Sequence, residues 1–418
     1  MSKTLMIKAM VLGAVACVFS ATGFAADVQN GHGQGIADST TEVNDAKHEA
    51  VRSNWMDRTD IVVGVGMKDS KETHSQHHYV GESSMRHDDL NTVTSKNSKS
   101  TEINKLYIET LQPITHYDEN AKSVVFVQGR IGRSGEKISS YKLDSYLEPA
   151  RPAGTFITHD KQTDTKESLG MNANIGIGYR RLSKGEHAYV GVNAFYDHVF
   201  KGGYKRVSGG VEYVAGLNEF HANLYRNLGT DDRKYIGLRG RSIVLGDPAG
   251  LYPYGLDSNQ GLFNYGVVAY ENHWMLSEKV AASGFDVGYS RTFKNARWAR
   301  VYADYYNWRG REAVRVGYYK LNKRDAIKGF NVGAEFHITP HLTLDAGYKT
   351  ASHHLSGPYA TLKYTIGTSK FAWRGGKHSE SVITTARSKM LDKVHRSDMV
   401  VQETVENIYE QQFVDVGL

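Results

Sequence analysis

From residue 59 to residue 366 the chain repeats one pattern: short segments of alternating apolar and polar residues, separated by turns. Residues 168–180, reading SLGMNANIGIGYR, are the clearest case. One parity holds Met171, Ala173, Ile175, Ile177 and Tyr179; the other holds Asn172, Asn174, Gly176, Gly178 and Arg180. A period of two is a strand with one apolar face and one wet face. Twelve such strands are predicted, over 59–68, 103–111, 123–132, 168–180, 188–198, 206–214, 217–226, 284–292, 298–307, 329–338, 342–349 and 359–366. An even set of amphipathic strands predicts an all-β, 12-stranded antiparallel transmembrane β-barrel of the outer membrane, with its apolar face on lipid and its polar face on a lumen.

The links between these strands give an independent check. The long ones (70–102, 133–167, 227–283 and 308–328) all fall at odd positions, and the even ones (112–122, 182–186, 215–216, 293–297, 339–341) are short. Barrels have short periplasmic turns and long external loops. The odd links are therefore expected outside, with both ends of the barrel in the periplasm. Outward aromatics agree: Tyr179, Tyr213, Trp298 and Phe336 fall at periplasmic strand ends, and Tyr196, Tyr305 and Tyr348 at external ends, as two interfacial belts would require.

The N-terminus sets the route. Lys3 and Lys8 precede an apolar stretch over 9–21, and Gly23-Phe24-Ala25 supplies small residues for cleavage. Residues 1–25 are read as a signal peptide for the Sec pathway. The single cysteine, Cys17, lies inside it. A cysteine-free remainder suits an oxidising compartment. Residues 26–57 are polar, helical or without fixed structure, and are read as a periplasmic segment; the barrel is assigned to 58–367 and a linker with a short tail to 368–418.

Composition changes the picture little. No later stretch reaches about 18 apolar residues, which excludes helical membrane spans. A mean hydropathy of −0.48 is still compatible with a barrel, half of whose strand residues are polar. The 42 glycines suit crowded lumens and turns, and the 26 tyrosines suit interfacial belts. The formal charge of +6 is scattered through an exported chain, so no nucleic acid is expected. Lipopolysaccharide fits basic outer loops better.

Candidate chemistry is sparse. The predicted inward positions carry Arg206, Glu212, Arg300, Asp304, Glu335, Asp345, Lys349 and Lys363, with Asn172, Asn174, Asn193, Asn223 and Asn331. They are either a cross-strand network that fills a small lumen or the lining of a hydrated channel that holds a polypeptide or passes ions. Asp197 and His198 are neighbours on a strand and point to opposite faces, so they form no dyad. No Gly-x-Ser-x-Gly elbow and no His-Glu-x-x-His motif occurs, and no enzyme is expected. His74, His77, His78, Glu82 and His87 share the first external link, but their spacing matches no closed metal site. No cofactor is expected.

The segments NIGIGYRRL (174–182), YVGVNAFYDHVF (189–200) and RVSGGVEY (206–213) resemble the translocator barrel of intimin and invasin, the inverse autotransporters. GFDVGYSR (284–291), ARVYADYYNW (299–308) and NVGAEFHITPHLTLDAGYK (331–349) continue the likeness in the same order, and MLDKVHRSDMVVQETVENI (390–408) resembles the stretch where such chains emerge at the surface. The resemblance implies a 12-stranded outer-membrane barrel, inserted by the barrel-assembly machinery, whose following chain returns through the lumen to carry adhesive domains outside. Asn193, Asp197, Arg206, Glu212, Arg300, Asp304, Glu335, Asp345 and Lys349 are then the lumen-facing candidates for contact with that linker. The links at 133–167 and 227–283 are enlarged relative to the family, and the sequence ends at Leu418. The expected function is a translocator or adhesin-like barrel that shows long loops and a very short passenger to a host or neighbouring cell. The competing expectation is a transport pore with the tail as its plug.

Overall fold

The computed structural model describes residues 54–80, 87–118, 120–143, 147–150, 155–229, 232–237, 241–244, 265–316, 319–321, 323–352, 356–367 and 386–417. The signal peptide, most of the periplasmic segment and residues 368–385 lie outside the described residues. In chain order the strands are β1 (Thr59–Val80), β2 (His87–Pro113), β3 (Ser123–Arg133), β4 (Glu136–Leu143), β5 (Leu147–Ala150), β6 (Thr155–Ser168) and β7 (Met171–Leu182). Next come β8 (Ala188–Val199), β9 (Lys205–Ala215), β10 (Asn218–Asn227), β11 (Asp232–Gly237), β12 (Arg241–Val244), β13 (Tyr265–Ala281) and β14 (Gly284–Phe293). The chain ends with β15 (Ala296–Trp308), β16 (Val314–Val316), β17 (Tyr319–Leu321), β18 (Ile327–His337), β19 (Leu342–Lys349), β20 (Gly357–Thr365) and β21 (Val400–Gly417).

Twelve of these make the wall. β1, β2, β3, β7, β8, β9, β10, β14, β15, β18, β19 and β20 each pair antiparallel with the next. The ring closes where β20 pairs with β1, Thr365 opposite Asp60. Closure leaves no wall strand with an unpaired edge, the condition for a sheet in lipid.

The wall is amphipathic in the inverted sense. On β7, Asn172, Asn174 and Arg180 are buried, while Ile175 and Ile177 are 59% and 51% exposed. The apolar parity faces outward, where lipid covers it. Trp298 meets Phe336 at 6.0 Å at one end of the wall and Tyr305 meets Phe330 at 5.1 Å at the other, placing aromatic pairs at both borders. Inward glycines admit large neighbours: a Cβ on Gly178 would collide with the Phe126 ring, and one on Gly176 with Phe195.

Three of the long links contribute strands to the barrel's sheet, where the sequence pattern predicts loops at 70–102 and 133–167 and leaves 227–283 open. β1 and β2 continue as a hairpin well beyond the wall, so 70–102 is mostly strand. β6 lies along β1, and β4 and β5 along β6. In the link at 227–283, β13 pairs with β11 and β12. β21 joins the two groups, parallel to β4 and antiparallel to β13. The result is an extension of the same sheet past the rim of the wall, in the order β2, β1, β6, β4, β21, β13. Beyond the rim β1 and β2 are polar on successive residues, as at Lys71, Glu72 and Thr73, and β21 is buried on successive residues from Val400 to Glu403, so neither shows a period-two hydrophobic signal. The first histidine link is part of this hairpin; Glu82 and the side chains of His77, His78 and His87 lie outside the described residues.

Candidate functional site: a lumen occupied by the returning chain

The tail enters at the short-turn end. Ala386–Lys389 form one 3₁₀ turn. Ala386 and Met390 are fully buried among Leu111, Phe126, Leu182 and Tyr189. Arg387 donates to both carboxylate oxygens of Glu186, at 2.9 and 2.7 Å, and to the Ala121 carbonyl at 2.7 Å. Glu186 sits in the turn between β7 and β8 with φ at 59°, a left-handed conformation unfavourable for a residue with a Cβ. Lys389 then reaches Glu219 on β10.

Between Met390 and Met399 the chain is neither helix nor strand. Its backbone groups still need partners, and wall side chains supply them. Arg180 donates to the carbonyls of Met390 and Asp392 at 2.9 and 2.6 Å. Asn223 donates to the His395 carbonyl at 3.0 Å, and Arg206 to those of Ser397 and Asp398 at 3.0 and 3.3 Å. The Val394 amide donates to Gln128 at 2.9 Å, and the Ser397 amide to the Tyr225 hydroxyl at 2.8 Å. At up to ~3.5 Å per extended residue, this stretch suffices to cross an apolar band ~25 Å tall.

Side chains fix the register. Arg396 donates to Asp197 Oδ1 and Oδ2 at 2.7 and 2.6 Å, and Arg206 donates to Oδ2 at 2.9 Å. Asp398 accepts from Arg130 and lies 3.6 Å from Lys105. Arg180, Arg206 and Arg396 each lie over an aromatic ring, Phe126, Tyr225 and Phe195, at 4.4–4.5 Å. Stacking with hydrogen bonding in the ring plane is what a guanidinium allows and an ammonium does not.

The nine predicted lumen residues divide. Asp197, Arg206 and Arg300 hydrogen-bond to the tail, Arg300 through His395 at 3.0 Å. Glu212 acts at one remove, holding Arg180. Glu335 holds Arg300 at 2.6 Å. Asn193 is buried with an unpartnered amide nitrogen beside Gly210. Asp304, Asp345 and Lys349 bond to Asn331, Tyr302 and Glu136. They line a cavity of ≈ 300 Å³ between the tail and the wall of β15, β18–β20 and β1. Most of the tail's contacts fall on β3 and β7–β10, while Lys393 reaches across to Asp60 of β1 and His395 to Arg300 of β15. Arg180, Gln128, Arg130 and Asn223 are further tail-binding residues; their inward parity is legible in the sequence, their contacts are not.

At the rim Met399 packs with Leu169, Val199 and Ala281. The Glu136 amide donates to the Met399 carbonyl at 3.0 Å, and the Ala282 amide to that of Val400 at 2.8 Å. There β21 begins. Glu403 ties it to both neighbours, to Lys137 of β4 at 2.7 Å and to Lys279 of β13. Among the described residues no group of three or more His, Cys, Asp and Glu is placed to hold a metal ion.

This geometry can be compared with known proteins. Solved structures align over most of the chain but loosely. A protein from a study of the in-meso crystallization of membrane proteins is 12% identical, covering 83% of this chain and all of its own, with a TM-score of 0.42. The translocator domain of autotransporter NalP from Neisseria meningitidis is 11% identical over 78% of this chain and 97% of its own, with a TM-score of 0.21. The β domain of the Bordetella autotransporter BrkA is 9% identical over 72% and 99%, with a TM-score of 0.21. No curated protein matches. The sequence does match the inverse autotransporter β-domain over residues 155–398, more than half of the chain, ending where the tail leaves the lumen. The chain belongs to the inverse autotransporter β-domain family and is an outer-membrane translocator barrel.

Proposed function

We propose that this barrel is a surface-display device of the intimin and invasin type, and that residues 400–417 are part of what it displays. The observation that carries this reading is the manner of tail binding: Arg180, Asn223 and Arg206 grip main-chain carbonyls. A lumen that reads backbone can hold an extended polypeptide while it passes. On this reading the sheet extension and β21 meet a host or neighbouring-cell surface. Lipid and lipopolysaccharide surround the wall, and the barrel-assembly machinery inserts it. The test is adhesion of cells producing the full chain to epithelial monolayers and to one another. Deleting residues 400–418 should abolish adhesion and leave the barrel in the membrane; unchanged adhesion would remove the tail from the function.

The second reading, a transport pore with the tail as plug, draws on the cavity beside the tail. Deleting residues 386–418 should raise single-channel conductance on either reading. Only a pore should show solute flux with the tail in place.

A further inference from the structure

β2 spans 27 residues, far more than the wall uses. On one side it pairs with β1 from His87 to Thr110; on the other it pairs with β3 only from Leu106 onward. Among the described residues no strand pairs with that second edge over 93–105. Residues 93–101 are all exposed. The edge is a row of unmatched N–H and C=O groups ~40 Å long, a template for a further strand. A bulge at Asn104 resets the side-chain parity, so Ile103 opposite Val65 stands on the same outer face as Leu106 opposite Val63. Val93 shares that face with Ile103.

The sequence of this edge complements itself in reverse. With a second copy of β2 laid antiparallel and Ser98 opposite the partner's Ser98, Val93 meets the partner's Ile103 and Ile103 the partner's Val93. These are the only apolar residues of 93–105, and they are 62% and 54% exposed. Ser95 then meets the partner's Thr101, Asn97 the partner's Lys99 and Lys96 the partner's Ser100, so no charge lies opposite its like. Lys96 is diagonal to the partner's Glu102, a carboxylate that in its own chain accepts from the Ser168 amide at 2.5 Å. Lys99 keeps Asp69 of its own β1 at 3.8 Å. The register is specific. A shift of one residue one way sets Lys96 against the partner's Lys99 twice, and the other way sets Val93 against the partner's Asn104. Edge lysines commonly guard against pairing; these exclude the neighbouring register.

We infer that residues 93–103 of β2 are a homotypic docking edge, and that its partner is a second copy of this chain on a neighbouring cell. A self-paired antiparallel strand has its two-fold axis perpendicular to the sheet. This sheet continues the barrel wall, which stands upright in the membrane. The axis therefore lies along the membrane plane and turns the partner barrel upside down, as in two membranes that face each other. At ~3.4 Å per residue, Leu106 of the two copies lies ~55 Å apart along the ribbon. The inference rests on the display reading in taking this edge as extracellular.

The test uses the full chain, whose single cysteine is Cys17 of the signal peptide, purified in detergent. Ser98→Cys, at the two-fold centre, should form a disulfide-linked dimer under copper-phenanthroline oxidation. Thr94→Cys should not link to itself but should link to Glu102→Cys in a mixture. Ser95→Lys combined with Thr101→Lys should abolish the dimer in sedimentation, and with it the aggregation of cells whose lipopolysaccharide is short. Ser95→Glu combined with Thr101→Glu should do the same, and mixing the two variants should restore both. These exposed positions leave residues 386–417 untouched, which separates their effect from that of deleting the tail. A parent chain that stays monomeric, Thr94→Cys linking to itself as well as Ser98→Cys does, or charge variants that mixing does not rescue overturns the edge. Dimers in detergent without aggregation of such cells overturn the neighbouring-cell partner. Dimers in detergent with Ser98→Cys closed to a membrane-impermeant maleimide on intact cells keep the edge and overturn the outward orientation.

Discussion

Asp197 on β8 accepts two hydrogen bonds from Arg396 of the tail, at 2.7 and 2.6 Å. Arg206 shares the same carboxylate at 2.9 Å, and Asp197 is only 4% exposed. One buried anion therefore serves two guanidiniums. Asp197→Ala strands both and should cost ~3–5 kcal/mol, the range for breaking a buried pair. Arg396→Met leaves the Asp197–Arg206 pair intact and keeps an aliphatic stem over Phe195, so it should cost less. Thermal unfolding in detergent orders the two variants. An Arg396→Met variant as stable as the parent would mean that the tail is not what this cluster holds.

Glu186 occupies a left-handed conformation that glycine would adopt without a Cβ penalty of roughly 1–2 kcal/mol. Its carboxylate is what the turn gains in return, since it binds Arg387 through both oxygens. Glu186→Gly should therefore have opposed effects. The turn relaxes and the heat-modifiable barrel band persists, but residues 386–390 become sensitive to protease added from the periplasmic side. A tail as resistant as in the parent protein would show that this ion pair does not anchor it.

The outer attachment of β21 should depend on pH. Burial raises the Glu403 pKa, but hydrogen bonds from Lys137 and Lys279 outweigh it and hold the carboxyl below its ordinary value. A depressed folded-state pKa gives stability that is present above the unfolded value, ~4.3, and lost as pH falls through the folded one. Protection from hydrogen exchange at residues 401–405, taken against the intrinsic rate at each pH, should hold at pH 7 and 5 and fall as the pH drops below the ordinary carboxylate range, about 4.3. Glu403→Gln should exchange faster at pH 7 and lose that acid step. An acid step that survives in the variant would assign it to another group.

Ile175 and Asn331 test the two faces of the wall. Ile175→Arg puts a charge into the lipid face and should cost roughly 2–4 kcal/mol near mid-membrane. Asn331→Arg points into the cavity beside Asp304, to which Asn331 already donates at 3.2 Å, and should cost little. Equal losses of heat-modifiability would contradict the inside–outside assignment.

The wall was legible in the sequence because lipid on one side and water on the other enforce a period of two. Ile175 and Asn174 announce opposite environments from adjacent positions. The extension past the rim sends no such signal. Lys71, Glu72 and Thr73 of β1 are polar on successive residues and still form strand, because cross-strand partners decide it. The same holds for β21, whose neighbours β4 and β13 lie far away in sequence. In the lumen, parity identifies which residues point inward, Asp197 and Arg206 among them. It does not say that the tail leans on β3 and β7–β10, so Asp304 and Asp345 came out beside a cavity. Nor does it show that Glu212 works through Arg180. Those facts depend on the path of the tail, which is a property of packing between distant segments.

That path is the centre of the account: the chain enters beside Glu186, is gripped along the lumen and leaves at Met399 to become β21. The most direct test is an epitope tag placed after Leu418 and probed on intact cells, with and without external protease. The account predicts a tag that antibody reaches and external protease removes. A tag protected until the outer membrane is opened would contradict it.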